Sequence, residues 1–391
     1  MRLGYLVPEF PGQTHAFFWR EIKALEAVGV EVHLFSTRHP RSGQAPHGFA
    51  AEAIHRTTYV FPPGHTALTR LPHVGKGLGY LARLPEGGWR ERLRLAALLP
   101  SAAMLAARSR RLRLDHLHVH SFADAAHLAA LARALGACRY SLTLHGDLPV
   151  YGRNHAAKLS GAAFATAVTR TLASDIEALG TRCPVDVVTM GVDTDLFHPV
   201  APSGPARPFT LISVARLNPT KGHEDVLAAL AALRADGLVI PWTVIGEGPH
   251  RASIEARILA LGLGDQVELT GALSEVEVRD RLQEAGALVL ASYGLGEAAP
   301  VAVMEAMACG VPPLTTRIGA TPEMITADTD GMLVPQRDIE ALAAGIARLA
   351  RDPGLVARLG TAARRTACER FDHRIVAAQL QSLIATAVRR G

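Results

Sequence analysis

Short runs rich in valine, leucine and isoleucine alternate with helix-length stretches twice along this 391-residue chain. The two series are parted by HPVAPSGPARP (198–208), which holds four prolines and no periodicity and reads as a linker. Before it come RLGYLV (2–7), VEVHLF (30–35), DHLHVH (115–120), YSLTLH (140–145), AFATAV (163–168) and DVVTM (186–190). A helix is expected over about 15–28, where Phe18, Ile22, Leu25 and Val28 fall at helical spacing. After the linker the alternation restarts with FTLISVA (209–215), WTVIG (242–246), QVELTG (266–271) and ALVLAS (287–292), interleaved with helices over 222–235, 249–261, 275–285 and 300–309. Strands alternating with helices close into parallel sheets covered on both faces. The expected architecture is therefore two α/β domains in tandem, 1–197 and 209–373 joined by 198–208. A last helix within 374–391 is free to pack back on the N-terminal domain. Such sheets take ligands beyond the carboxyl ends of their strands, so two facing sheets make an interdomain cleft.

The composition, 49% hydrophobic and 20% charged, is that of a globular chain, and no run of 18 or more apolar residues offers a membrane span. MRLGYLV lacks the apolar core and cleavage site of a signal peptide. Four cysteines (Cys138, Cys183, Cys309, Cys368) without Cys-x-x-Cys spacing exclude a zinc ribbon and fit a reducing compartment, so a cytoplasmic location is expected. Net charge is +5, but residues 1–200 hold 22 basic and 15 acidic residues and the remainder 19 and 21. The excess concentrates in 66–114, where Arg70, Lys76, Arg83, Arg90, Arg92, Arg94, Arg108, Arg110, Arg111 and Arg113 face only Glu86 and Glu91. Within it, WRERLRLAALL (89–99) and MLAARSRRLRL (104–114) have the character of basic amphipathic helices that meet an anionic bilayer; the plainer reading is a solvated arginine face over ordinary core contacts.

The chemistry concentrates in GEAAPVAVMEAMACG (296–310), an apolar stretch whose only charges are Glu297 and Glu305. Pro300 suits the first turn of a helix and Gly310 its end, which puts Glu297 in the preceding loop and Glu305 inside. Eight helical residues span about 12 Å, whereas the carboxylates of a retaining glycosidase stand about 5–5.5 Å apart. The pair is therefore no nucleophile and acid couple. Free N–H groups at a helix start suit an anion, and flanking carboxylates accept hydrogen bonds from hydroxyls, so a phosphorylated polyol satisfies both. The plain alternative is a helix-start acid and a surface acid. SVARLNPTKGHEDVLAAL (213–230) favours the ligand: Lys221 is one of only four lysines and stands between a strand and a helix, where a compact ammonium suits phosphate. His145, at a strand end before Gly146, is a site candidate, and His120 a weaker one among 17 histidines. The two Asp-Thr-Asp runs, 193–195 and 328–330, read as turns, and no metal site is expected.

Together Arg216 with Lys221, VIGEGP (244–249), Glu297-x7-Glu305 followed by AMACGVP, and IGATPEMI (318–325) resemble the donor-binding half of retaining GT-B glycosyltransferases of family 4. PEFPGQTHAFFWREIKALEAVGVEV, HVHS, TLHGDLP and MGVDTDLFHP are similar, more loosely, to the family's N-terminal landmarks. The resemblance implies two Rossmann-like domains with parallel sheets facing across an interdomain cleft. It further implies that Arg216 and Lys221 clamp the diphosphate of a nucleotide sugar, which is donor substrate rather than cofactor. Glu305 would hold the ribose diol and Glu297 the hydroxyls of the donor sugar. Gly246 and the backbone of Leu295, Gly296, Ala298 and Ala299 would lie by the phosphates or the sugar. Gly12 would let the backbone approach the phosphates, and His145 would face the reacting sugar. The implied reaction retains anomeric configuration without a metal, with a saccharide or a polyprenyl-linked saccharide as acceptor; the resemblance permits, without requiring, a peripheral membrane contact through 66–114.

Rival classes fare less well. A nicotinamide dehydrogenase needs Gly-x-Gly-x-x-Gly after the first strand, and PEFPGQTH lacks it. A sugar-nucleotide epimerase shares the tandem architecture without the Arg216, Lys221, Glu297 and Glu305 set. A non-catalytic nucleotide-sugar sensor has no feature that singles it out, and no aromatic interleaving in 90–113 supports nucleic-acid stacking.

Overall fold

The computed structural model describes residues 1–12, 15–40, 47–64, 67, 73–200, 208–294 and 297–390. These residues form two compact units, one of 1–189 with 376–391 and one of 190–375. The division thus falls upstream of the proline-rich stretch, and 190–197 belongs with the second unit.

In the first unit, strands β1 (Arg2–Glu9), β2 (Glu31–Arg38), β3 (Thr58–Tyr59), β4 (His116–Val119), β5 (Tyr140–Leu144), β6 (Ala162–Ala167) and β7 (Val185–Val187) form one sheet. Its order is β3-β2-β1-β4-β5-β6-β7, and the pairings are parallel. The second unit repeats the plan with β8 (Leu211–Val214), β9 (Trp242–Ile245), β10 (Val267–Gly271), β11 (Ala287–Leu290), β12 (Pro313–Thr316) and β13 (Met332–Val334), ordered β10-β9-β8-β11-β12-β13 and again parallel. Each sheet therefore winds outward in both directions from its first strand. The points where winding reverses, between β1 and β4 and between β8 and β11, are where such sheets open a crevice for ligands.

Strands buried on both faces explain the near-continuous apolar runs. Leu211, Leu230, Trp242, Val289, Leu314 and Ile346 centre the second core. In the first, Leu3, Tyr5, Ile22, Leu25 and Leu34 pack with Leu380 and Ile384 of the helix His373–Arg389. Helix boundaries follow local chemistry: Ser274 accepts the N–H of Glu277, whose carboxylate returns to the Ser274 N–H at 2.8 Å, and this reciprocal cap starts the helix Glu275–Glu284. The first helix runs over Ala16–Ala27, and Val28, assigned above to its apolar stripe, lies beyond it and is exposed. The basic segment divides. Helix Gly88–Ala96 exposes Trp89 and Leu93, whereas helix Leu99–Arg111 buries Ala102, Met104, Leu105 and Ala106. The second half of that segment therefore has no free apolar face, which corrects the reading of MLAARSRRLRL as surface-seeking; Arg70 lies outside the described residues. No helix among the described residues is long and apolar enough to cross a membrane.

Candidate active site

Loops leaving β8 and β11 meet at the reversal point of the second sheet. Beyond β8 the chain passes Arg216, makes a short turn over Pro219–Lys221, and enters helix His223–Ala235. Beyond β11 it passes Ser292 and reaches Glu297 and helix Val301–Ala308. The Tyr293 N–H donates to Thr220 O at 2.9 Å and ties the two loops together. Lys221 Nζ donates to Glu297 Oε2, and Ser292 Oγ donates to the same oxygen at 2.8 Å. Both bonds fall on one carboxylate oxygen, so Oε1 has no protein partner among the described residues. Glu297 is 8% exposed, and a carboxylate held this far from water needs its cation. The Arg216 side chain is exposed and makes no hydrogen bond or ion pair among the described residues.

Two glycines let the loop backbones converge. Gly246 has φ 145°, and a β-carbon there would fall 2.0 Å from Ala215 O, so this glycine brings the loop after β9 against the start of the Arg216 loop. Gly319, with φ 50°, is pressed to the carbonyl of Glu297, where a β-carbon would come within 1.7 Å. The next N–H, of Ala320, donates to Ala298 O at 2.5 Å. IGATP is thus a brace that holds the Glu297 loop, a role its resemblance to a family landmark does not state. Ala298 and Ala299 are buried in that loop, and Leu295 and Gly296 lie outside the described residues. Glu305 sits within helix Val301–Ala308, also 8% exposed, so neither glutamate is a surface acid.

The first unit places its candidates at matching strand ends. Gly12 follows β1, and its carbonyl accepts the His15 N–H at 3.0 Å. His145 follows β5, and its backbone N–H donates to Tyr151 Oη at 2.8 Å. Its ring nitrogen Nε2 is 3.1 Å from His120 Nδ1. Burial pulls the His145 imidazole down to about 3, with His120 beside it as a second cause, so it is neutral at any physiological pH. Both Asp-Thr-Asp runs are turns: Asp193 Oδ1 accepts the N–H groups of Asp195 and Leu196 at 3.0 Å, and Asp330 Oδ1 accepts that of Thr326 at 2.7 Å. No group of three or more His, Cys, Asp or Glu side chains that could hold a metal ion occurs among the described residues. Ser292 is a site residue that sequence reasoning missed, because a serine ending a strand carries no signal of its own.

Two family descriptions match this chain, "Glycosyl transferases group 1" over residues 200–366 and "Glycosyltransferase Family 4" over residues 16–196. The chain is a group 1 glycosyltransferase. This glycosyltransferase is 28% identical, over 99% of its length and 100% of the relative's, to a Salmonella typhimurium protein named for colanic acid biosynthesis, WcaL. It is 32% identical to the amylovoran biosynthesis glycosyltransferase AmsK of Erwinia amylovora over 52% of this chain and 51% of that one. Identity is 27% with a GDP-mannose-dependent phosphatidylinositol monomannoside mannosyltransferase of Mycolicibacterium smegmatis, covering 78% and 86%. Among solved structures, sucrose-phosphate synthase of Thermosynechococcus elongatus superposes with TM-score 0.78 at 20% identity over all of both chains. Anabaena HepE in complex with UDP-glucose superposes with TM-score 0.76 at 16% identity over 99% and 100%. At these identities the likeness establishes the GT-B fold, two Rossmann-like domains, and agrees with the two repeated sheets.

Proposed function

We propose that this glycosyltransferase moves a sugar from a nucleoside diphosphate sugar to a saccharide or polyprenyl-linked saccharide acceptor, with retention of anomeric configuration, in building a polysaccharide or envelope glycan. The observation that carries the reading is the part-buried Lys221–Glu297 pair at the reversal point of the second sheet, with one carboxylate oxygen, and the Arg216 guanidinium of the same loop as Lys221, unengaged among the described residues. Lys221 keeps two N–H donors after bonding Glu297, and with Arg216 it meets the diphosphate as negative charge develops on departure. Fixed positive charge aimed at a leaving group is a strong catalytic device and replaces a metal ion in that role. Glu297 Oε1 accepts a hydroxyl of the donor sugar, and Glu305 accepts the ribose diol. The backbone of Gly246, Leu295, Gly296, Ala298 and Ala299 lines the donor. In the first unit, Gly12 meets the phosphates and His145 the transferred sugar.

The acceptor hydroxyl then attacks from the face that the diphosphate leaves, its proton passing to a phosphate oxygen. The names of WcaL and AmsK support a polysaccharide product, and HepE binds UDP-glucose while the mannosyltransferase uses GDP-mannose. The exposed Trp89 and Leu93 one helical turn apart, with Arg90 stacked on Trp89 at 5.5 Å, support a peripheral contact with an anionic inner membrane face. The test is to incubate the protein with nucleotide sugars and acceptor oligosaccharides in the presence of a chelator and follow anomeric proton signals. The product is expected to keep the donor's configuration; inversion, or a strict metal requirement, would overturn the mechanism.

A further inference from the structure

A second polar cluster lies at the ends of β4 and β5. Tyr5 Oη donates to Glu21 Oε1 at 2.8 Å. His120 Nε2 is 3.1 Å from that same oxygen, displaced from the line of an ideal hydrogen bond, and His120 Nδ1 is 3.1 Å from His145 Nε2. The chain Tyr5–Glu21–His120–His145 thus links β1, helix Ala16–Ala27 and two strand ends. Aromatic rings enclose it, with Phe17 and Phe18 each 5.4 Å from the His145 ring and Phe18 4.9 Å from His120.

The order of protons follows from chemistry. Burial pushes the Tyr5 hydroxyl well above its ordinary range, so it keeps its proton and directs it at Oε1. Oε1 therefore faces His120 as an acceptor, whether or not the carboxyl carries a proton on its other oxygen. Burial holds His120 and His145 near 3, so both rings are neutral and each has one N–H. At 3.1 Å a ring lone pair would oppose the lone pairs of Oε1, so the contact favours a proton on His120 Nε2 without a hydrogen bond there; His120 then accepts at Nδ1, and the His145 proton sits on Nε2. His145 Nδ1 then bears a lone pair, and it is buried without a partner among the described residues. An unsatisfied buried acceptor costs about 1–3 kcal/mol, and a buried carboxyl adds desolvation that apolar side chains would avoid. Filling the core does not account for either.

We propose that Glu21 is a positioning residue: acting through His120, it locks His145 in the tautomer protonated on Nε2 and so offers Nδ1 to a hydroxyl of the transferred sugar. This rests on the placement of His145 at the donor sugar proposed above.

Ring 15N shifts of histidine-labelled protein, with the His145 signal identified by its loss in His145→Ala, read the tautomer directly. A neutral ring protonated on Nε2 is expected, and protonation on Nδ1 overturns the proposal. Turnover of UDP-glucose and GDP-mannose then tests coupling through a double-mutant cycle. Glu21→Leu is expected to lower kcat/KM about tenfold and to cost nothing more in a His145→Ala background. Glu21→Gln keeps a carbonyl acceptor and restores the rate to within about twofold of the parent. His120→Phe, seated between aromatic neighbours, gives the same loss as Glu21→Leu and serves if that variant does not fold. A low rate in His145→Ala with a further, additive loss from Glu21→Leu overturns the positioning role alone. A full rate in His145→Ala removes His145 from the donor sugar and the proposal with it.

Discussion

Glu297 is held by two donors on one oxygen, and the consequence is a residue-scale test of the pair. Removing Lys221 leaves a carboxylate with little exposure and only Ser292 for company. Lys221→Ala is expected to lower stability by about 1–3 kcal/mol, and adding Glu297→Gln should recover most of it, because the neutral amide needs no cation. Chemical denaturation of the four proteins in the cycle measures this; additive losses would show that the two side chains do not depend on one another. The sequence marks Lys221 because lysine is rare here, and marks Glu297 because charge is rare in its stretch. Nothing marks Glu21, with Glu26 one of two acids on its helix; only the fold shows that it turns inward to His120. Gly319→Ala should also displace the Glu297 loop, weakening nucleotide-sugar binding about tenfold or more, since a β-carbon cannot share space with the Glu297 carbonyl.

At the scale of elements, β4 and β5 carry a buried histidine row. His116 Nε2 and His118 Nδ1 lie 2.8 and 2.7 Å from Ser141 Oγ, and Thr143 Oγ1 is 2.8 Å from His118 Nε2. Burial holds His116 at about 4 and His120 and His145 at about 3, and drives His118 down as well, from an ordinary 6.5. The unfolded chain takes up these protons below pH 6.5 while the folded chain refuses them until near pH 3–4. Their stabilising share is thus complete above pH 6.5 and is lost as pH falls, by about 1.4 kcal/mol per pH unit for each histidine. Thermal melts should drop steeply between pH 6.5 and 4; a flat profile would mean that the rings are already charged in the fold. The alternation His116, His118, His120 is plain in the sequence, but whether it faced solvent, metal or serine hydroxyls depends on which strand came alongside. For helix Gly88–Ala96, Trp89→Glu with Leu93→Glu should abolish sedimentation with phosphatidylglycerol vesicles at unchanged melting temperature. Unchanged sedimentation would leave those side chains without a membrane role.

For the whole molecule, the repeated alternation shows two winding sheets in the sequence, because apolar runs of strand length survive burial on both faces. Less legible are the short β3, β12 and β13 and the helices of residues 50–111, whose amphipathic patterns do not say which core they join. The chain's end is instructive: helix His373–Arg389 starts in the second unit and buries Ala377, Leu380 and Ile384 in the core of the first. Ile384→Ala should therefore cost the first unit about 2–5 kcal/mol and leave the second unit's melting unchanged. Differential hydrogen exchange resolves the two.

Binding of a nucleoside diphosphate by the second unit at the ends of β8 and β11 underlies every role proposed above. Isothermal titration of UDP and GDP into the parent protein, Lys221→Ala, Glu305→Ala and His145→Ala measures it without any acceptor or turnover. One diphosphate should bind the parent and His145→Ala alike and bind Lys221→Ala and Glu305→Ala at least about tenfold more weakly. Equal affinity in all four proteins would place the nucleotide elsewhere and contradict the site.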